Sequence, residues 1–416
     1  MTVPAGYKAT ELGVIPKDWD VEPLGTLIGP LDAGVSVRSV ADNVASSGHG
    51  QMVLKTSCIN CGRFIPAEAK SILPADLARA KTSVKGRSML ISRMNTPDLV
   101  GEVGYVPEDR PDLYLPDRLW MASSAASRRT DMRWLTAHLS HGQAGQALRD
   151  TATGTSGSMK NISKTALRRV LLPTPQPEEQ EAIADALSDV DEAIAAQEAV
   201  IAKKRAFKTA TMQALLSGTR RLPGFSEEWE AKAFGQLAMI RNEKVQTKDA
   251  DVASFCVELE HIESSSGRLC GWADARARNS MKYRFHPSDV LFGRLRPYLR
   301  KYWYAEKDGV CSTEIWPLIP RNRGLIPAYI HQIIQAEAFI EAASTAYGTH
   351  MPRADWKFLS QMKVKYPTDR LEQEAISEIL TDMDLDLKAC AHRLDKLLLV
   401  KVGMMQQLLT GKIRLV

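Results

Sequence analysis

The sequence predicts an α+β protein: two mixed α/β domains joined by two long helices that form an antiparallel coiled coil, built as a pseudo-twofold internal repeat. Three observations predict it. The second half of the chain repeats the first. Each copy ends in a long run with heptad spacing and no internal proline. Between the repeated segments lie two divergent blocks that mix short apolar stretches with charge and aromatics.

The repeat is the strongest of the three. Residues 180–222 match residues 373–415 at 17 of 43 positions without a gap. Gln180-Glu181-Ala182-Ile183 becomes Gln373-Glu374-Ala375-Ile376, and Leu215-Leu216-Ser217-Gly218 becomes Leu408-Leu409-Thr410-Gly411. Met159, Leu167 and Pro175 return as Met351, Leu359 and Pro367, while Trp19, Gly25 and Leu27 return as Trp229, Gly235 and Leu237. A duplicated architecture follows. Its segments are a first domain over 1–172, a helix over 173–222, a second domain over 223–366 and a second helix over 367–416. A chain that keeps its joints and varies its middles presents two different reading heads on one frame.

The helices come next. Pro173, Pro175 and Pro177 end what precedes, and Glu178, Glu179 and Glu181 fill a first turn where carboxylates complement the helix dipole. Gly218 and Gly411 stand where the runs stop, as C′ residues do. Each helix spans about 40 residues, roughly 60 Å at 1.5 Å per residue. Apolar residues recur at alternating intervals of three and four, the coiled-coil signature. In the first copy the seam is Ile183, Leu187, Val190, Ile194, Ile201 and Leu215, with Gln197, Lys204, Lys208 and Thr211 between. In the second it is Ile376, Leu380, Met383, Leu387, Cys390, Leu394, Leu397, Met404 and Leu408, broken by Lys401. Two related helices separated by a whole domain pair naturally as antiparallel partners, with the domains at opposite ends.

Within the divergent blocks, Met89-Leu90-Ile91 and Val290-Leu291-Phe292 predict short buried strands, and residues 328–343 have helical periodicity. Residues 268–304 hold nine basic residues against Asp274 and Asp289, interleaved with Tyr283, Phe285, Phe292, Tyr298, Tyr302, Trp303 and Tyr304; residues 63–93 hold seven against Glu68 and Asp76. Lys and Arg neutralise phosphates, and Arg also grips a guanine edge with two hydrogen bonds. The candidates for contact with double-stranded DNA are Arg87, Arg93 and Lys160 in the first domain. In the second they are Lys282, Arg284, Arg294, Arg296, Tyr298, Arg300, Lys301 and Arg353. Lys160 and Arg353 follow turn-rich segments, Gly154–Met159 and Gly348–Pro352, which bring backbone N–H groups near a phosphate.

Composition narrows the class. The formal charge of +5 is mildly basic and admits nucleic acid as a partner. No apolar run has the length of a signal peptide or a bilayer span, which predicts a cytoplasmic protein with no membrane partner. Cys58-Ile-Asn-Cys61 has no second pair at zinc-ribbon spacing, so no metal site is expected, although His138 and His141 offer ligands. There is no P-loop, no Asp/Asn-Pro-Pro-aromatic run of an amino-methyltransferase, and no nucleophile–base arrangement; the chain is expected to catalyse nothing alone. A coiled-coil interaction scaffold that does not read DNA sequence is the alternative reading.

The chain resembles the specificity subunits of type I restriction–modification systems. The resemblance is carried by Gly6-Tyr7-Lys8-Ala9-Thr10-Glu11-Leu12-Gly13-Val14-Ile15-Pro16-Lys17-Asp18-Trp19, by Pro177-Glu178-Glu179-Gln180-Glu181-Ala182-Ile183 and by Leu408-Leu409-Thr410-Gly411-Lys412-Ile413-Arg414-Leu415. In the second block, Ser288-Asp289-Val290-Leu291-Phe292-Gly293-Arg294-Leu295-Arg296-Pro297-Tyr298 is similar to the family's target-recognition domains; the first block departs from it, with Ser88 where Asp289 stands. The resemblance implies that each domain reads one half of a bipartite, asymmetric DNA target. It implies that the helices space the halves and dock two modification methyltransferase subunits. Restriction/translocase subunits would join them. S-adenosylmethionine, ATP and Mg²⁺ would bind in those partners and no cofactor in this chain.

Overall fold

The computed structural model describes residues 3–40, 50–154, 159–247, 254–277, 280–345 and 352–415. Arg278 of the basic block, and residues 155–158 and 348–351 of the two turn-rich segments, lie outside the described residues. The chain divides into two compact units, Met1–Ala195 with Asp395–Val416, and Ala196–Leu394.

In the first unit a strand at Asp20–Pro23 pairs antiparallel with Leu171–Thr174, zipping the lead-in to the segment that enters the long helix and burying Trp19 completely. Between them lie two mixed sheets. One has six strands, in the order Asp32–Ala33, Leu119–Ala122, Ser88–Ser92, Val103–Val106, Gly62–Phe64 and Ile59–Asn60. The other has five, in the order Ser83–Val84, Arg110–Tyr114, Met52–Leu54, Ala69–Ile72 and Ser39–Val40. The strand Ser88–Ser92 is buried at every position. Successive side chains point to opposite faces. Met89 and Ile91 therefore join the core of Trp19, Trp134 and Ile183, while Leu90 joins that of Leu54 and Leu113.

The second unit follows the same plan. Trp229–Ala233 pairs antiparallel with Lys363–Pro367. One four-stranded sheet is ordered Ala238–Ile240, Ile315–Pro320, Val290–Gly293, Tyr302–Tyr304; the other is ordered Lys244–Gln246, Met281–Phe285, Gly309–Cys311, Cys256–Val257. Val290 and Phe292 face the core containing Phe339 and Ile376, while Leu291 faces the core containing Phe285 and Trp303. The helical stretch expected over 328–343 is two helices, Pro327–Ile333 and Glu337–Ser344. Ala336 is extended (ψ 144°), so the chain turns there and both helices lay apolar faces, Tyr329-Ile330-Ile333 and Phe339-Ile340-Ala343, on one core.

The long helices are Pro177–Leu216 and Arg370–Leu408. Gly218 (φ +71°) and Gly411 (φ +68°) terminate them in the left-handed conformation. A Cβ at Gly218 would come within 3.1 Å of the Trp229 ring, and at Gly411 within 2.5 Å of Pro16, so close packing also demands glycine. In the first unit Ile183 and Leu187 share a core with Met405 and Leu408, and Lys401 pairs with Asp191 at 2.7 Å. In the second unit Gln197 donates to the Cys390 carbonyl at 3.0 Å, and Lys204 and Lys208 meet Asp386 and Asp384. Rising numbers on one helix meet falling numbers on the other, so the two pack antiparallel. All of the seam positions named above are buried or half-buried.

Candidate nucleic-acid interface

Arg93 follows the strand Ser88–Ser92, and its guanidinium lies over the Trp120 ring, 5.4 Å from the centroid. Strand register explains the stack. Ile91 is opposite Trp120, and the Arg93 N–H donates to the Arg118 carbonyl at 3.1 Å. Arg93 and Trp120 are thus diagonal neighbours on one face of the sheet. The segment leading to the long helix closes the frame: the Ile162 N–H donates to the Arg93 carbonyl at 2.9 Å, and Met94 and Asn95 pair with Asn161 and Lys160.

The second unit repeats each connection. Arg294 follows Val290–Gly293, with its guanidinium 5.2 Å from the Trp316 centroid. Phe292 is opposite Trp316, and the Arg294 N–H donates to the Glu314 carbonyl at 2.9 Å. The Ala354 N–H donates to the Arg294 carbonyl at 2.8 Å, and Leu295 bridges to Arg353. The two frames therefore correspond residue by residue. Arg93 matches Arg294, Trp120 matches Trp316, Arg118 matches Glu314, Asn95 matches Arg296 and Asn161 matches Arg353. In both, the Arg Nε is buried and has no hydrogen-bond partner among the described residues.

The other sequence candidates divide. Arg296 is exposed, and Tyr298 is 52% exposed. Arg296 (φ +51°) and Arg300 (φ +50°) both adopt the left-handed conformation around the turn Pro297–Leu299, a strained choice for non-glycine residues that projects this segment from the sheet end. Lys160 is half-buried and donates to the Gly154 carbonyl at 3.0 Å. Arg353 is held by Glu314 through two bonds of 3.1 and 3.2 Å. Arg300 pairs with Glu337, Lys282 with Glu258, and Arg284 with Glu243. Lys301 donates to the Leu259 carbonyl at 2.7 Å. Arg87 is exposed but stands at the opposite end of its strand from Arg93, roughly 20 Å away at 3.3 Å per residue. Lys282 and Arg284 lie on the other sheet of the unit, in the strand Met281–Phe285. Arg118, exposed and without an ion pair among the described residues, is a cation the sequence reading passed over.

A cavity of about 630 Å³ opens beside Lys160, lined by Cys61, Asp98, Glu102, His141 and Arg149 among others. Its Arg149 is already turned to Glu102 at 3.8 Å. Burial pushes the Cys58 and Cys256 thiols up to about 12, where neither is a thiolate at neutral pH. Among the described residues, no group of three or more His, Cys, Asp or Glu is placed to hold a metal ion. None of their helices is long and apolar enough to cross a membrane.

Fold and site together define a duplicated α+β protein in which each of two divergent domains presents the same arginine–tryptophan stack. The chain belongs to the type I restriction modification DNA specificity domain family, whose model matches residues 129–203 and 226–398, more than half of its length. It is 25% identical over 163 residues to the type I restriction enzyme EcoDI specificity subunit of Escherichia coli, an alignment covering 38% of this chain and 36% of that relative. The match thus spans little more than a third of the relative's length. In fold it is similar to the S subunit of a type I restriction-modification system from M. genitalium (TM-score 0.59, 13% identity, 98% of each chain). It is also similar to a chain from a structure describing complex assembly and conformational transition of a type I R-M system (TM-score 0.55, 14% identity, 96% of this chain and 99% of that one).

Proposed function

We propose that this specificity subunit reads double-stranded DNA, each domain recognising one half of a bipartite, asymmetric target. The observation that carries the reading is the repeated stack: Arg93 on Trp120 and Arg294 on Trp316 are cations with no carboxylate partner among the described residues, held in one backbone frame in two domains whose surroundings differ. Planar guanidinium forks of this kind suit phosphates and base edges. The paired helices space the two half-sites and dock two modification methyltransferase subunits. Large apolar side chains left exposed along them, including Phe207 at 65% and Leu399 at 72%, support a protein-covered surface. S-adenosylmethionine is bound by the methyltransferases, and ATP and Mg²⁺ by restriction/translocase subunits where these are present. This chain supplies recognition and no chemistry, and works in the cytoplasm with no membrane partner.

The test is to co-express the full chain with an adenine methyltransferase subunit of a type I system with which it assembles and to map methylated adenines across the host genome. A new motif of two short specified halves around a fixed unspecified gap is the expected result. An assembled, methylating complex with no split motif would favour the interaction scaffold instead.

A further inference from the structure

We propose that Arg93 and Arg294 are the phosphate clamps of the two domains, and that bases are read beside them at the positions where the two frames differ. Those positions are Asn95 against Arg296, Arg118 against Glu314, and Asn161 against Arg353. The inference rests on the DNA-reading function proposed above and assigns labour within it.

Among the described residues many guanidiniums face a carboxylate, as those of Arg241, Arg353 and Arg414 do. Those of Arg93 and Arg294 face an indole, which fixes the plane of the fork, and among the described residues neither pairs with a carboxylate and each Nε is buried without a hydrogen-bond partner. A fork held this way meets either a phosphate or a guanine edge with two hydrogen bonds. The repeat decides between them. The two domains have diverged in sequence and on an asymmetric target face different bases, so a device present in both meets what the half-sites share, the sugar–phosphate backbone. Within the same frame the chemistry beside the clamp is inverted. The second domain has the acceptor Glu314, locked to Arg353 by two bonds of 3.1 and 3.2 Å. At the same backbone positions the first has Arg118, a cation without an ion pair among the described residues, and an amide, Asn161. Arg suits guanine, Asn suits adenine, and a carboxylate accepts from the cytosine amino group. Such differences specify sequence where the shared arginine cannot.

The experiment uses the assembled methyltransferase complex of the full chain and two 40-base-pair duplexes, one bearing the motif written by the wild type and one with both half-sites scrambled. Arg93→Ala and Arg294→Ala are each expected to weaken binding to both duplexes by a similar factor, on the order of tenfold, and to lower the salt-dependence slope by about one. The genomic motif should stay unchanged. Arg93→Lys and Arg294→Lys should recover most of the binding, because a point charge serves a phosphate but not a two-bonded base edge; they also separate lost contact from lost folding. Transplanting first-domain residues into the second, Glu314→Arg with Arg353→Asn, should change the motif in one half-site and leave the other half-site and the salt slope as they were. Arginine variants that alter the motif while binding the scrambled duplex normally would overturn the clamp. So would variants that bind both duplexes as the wild type does. A transplant that leaves the motif untouched would overturn the assignment of base reading. If the wild-type complex writes no split motif, the DNA-reading function itself falls, a result distinct from these.

Discussion

The guanidinium of Arg414 grips the carboxylate of Glu179 across 235 positions of sequence, with Nε 2.6 Å and Nη2 2.9 Å from its two oxygens. Glu179 is 1% exposed, and the Trp19 indole also donates to it at 2.7 Å. The second unit repeats the arrangement: Arg221 donates to Glu372 at 2.7 and 2.8 Å, joined by the Trp229 indole at 3.2 Å. Each arginine closes one copy of the repeat, and each glutamate opens the helix of the other. The two copies therefore exchange their ends, and each unit is completed by a residue from the other copy.

Removing one partner of such a pair strands a buried charge, which costs about 3 kcal/mol or more. Arg414→Ala is expected to destabilise the first unit by that amount, and Arg221→Ala the second. Hydrogen exchange read by mass spectrometry checks the location: Arg414→Ala should speed exchange at residues 177–195 and 20–23 and spare 254–345, with the converse for Arg221→Ala. Adding Glu179→Gln to Arg414→Ala should return part of the loss, because a neutral amide is cheaper to bury than an unpaired carboxylate.

The seam between the helices carries a second exchanged pair. Asp191 and Asp384 occupy equivalent positions of the repeat, as do Lys208 and Lys401, and each lysine meets the aspartate of the other copy. Burial separates the two. The Lys208 residue is 8% exposed and also donates to Gln335 at 2.7 Å, whereas the Lys401 and Asp191 side chains are 20% and 38% exposed. Lys208→Met is expected to cost about 3 kcal/mol, and Lys401→Met about 1, because water screens the latter pair. Lys208→Met with Asp384→Leu should recover most of the loss. Urea midpoints of the three variants decide the order.

These pairs also mark where the sequence stopped being readable. Heptad spacing is local, so the apolar seam was legible from Ile183 to Leu408. Gln197, Lys204 and Lys208 read as breaks in it, because their partners Cys390, Asp386 and Asp384 are found only once the antiparallel register is known. The interface behaved alike. Counting charge over 268–304 does not separate Arg294 and Arg296, which have no ion pair among the described residues, from Lys282, Arg284 and Arg300, whose carboxylates Glu258, Glu243 and Glu337 all come from outside that window. Trp120 beneath Arg93, and Arg118 beside it, depend on cross-strand register that no one-dimensional pattern displays.

Asp289 shows how a motif residue can serve the scaffold. It is 3% exposed and accepts two bonds from Arg241, at 2.7 and 2.9 Å, and one from the His286 N–H at 3.0 Å. In the first unit Ser88 stands in its place and satisfies itself on the Lys85 carbonyl at 2.5 Å, and the repeat sets Leu31 where the second unit has Arg241. The departure from the family motif is thus a paired change inside the domain. Asp289→Ser alone is expected to lower stability of the second unit by about 3 kcal/mol, since it leaves the Arg241 charge uncompensated. Asp289→Ser with Arg241→Leu should regain most of that in a thermal melt.

Acid sensitivity of the first unit should trace to His138. Its ring stacks on Trp134 with centroids 5.5 Å apart, is 6% exposed, and has both nitrogens buried without a hydrogen-bond partner among the described residues. Burial lowers its pKa from the ordinary 6.5 to about 4. The folded chain therefore refuses a proton that the unfolded chain accepts, and the sign follows. Stability is fully present above about pH 6.5, falls as the pH drops towards 4, and levels off below, for a total of up to about 3 kcal/mol. His138→Phe keeps an aromatic ring beside Trp134 and removes the titration. Urea unfolding of the two proteins between pH 7 and 4 should show the wild type losing stability more steeply than the variant across this window. Parallel slopes would assign the acid response to another group.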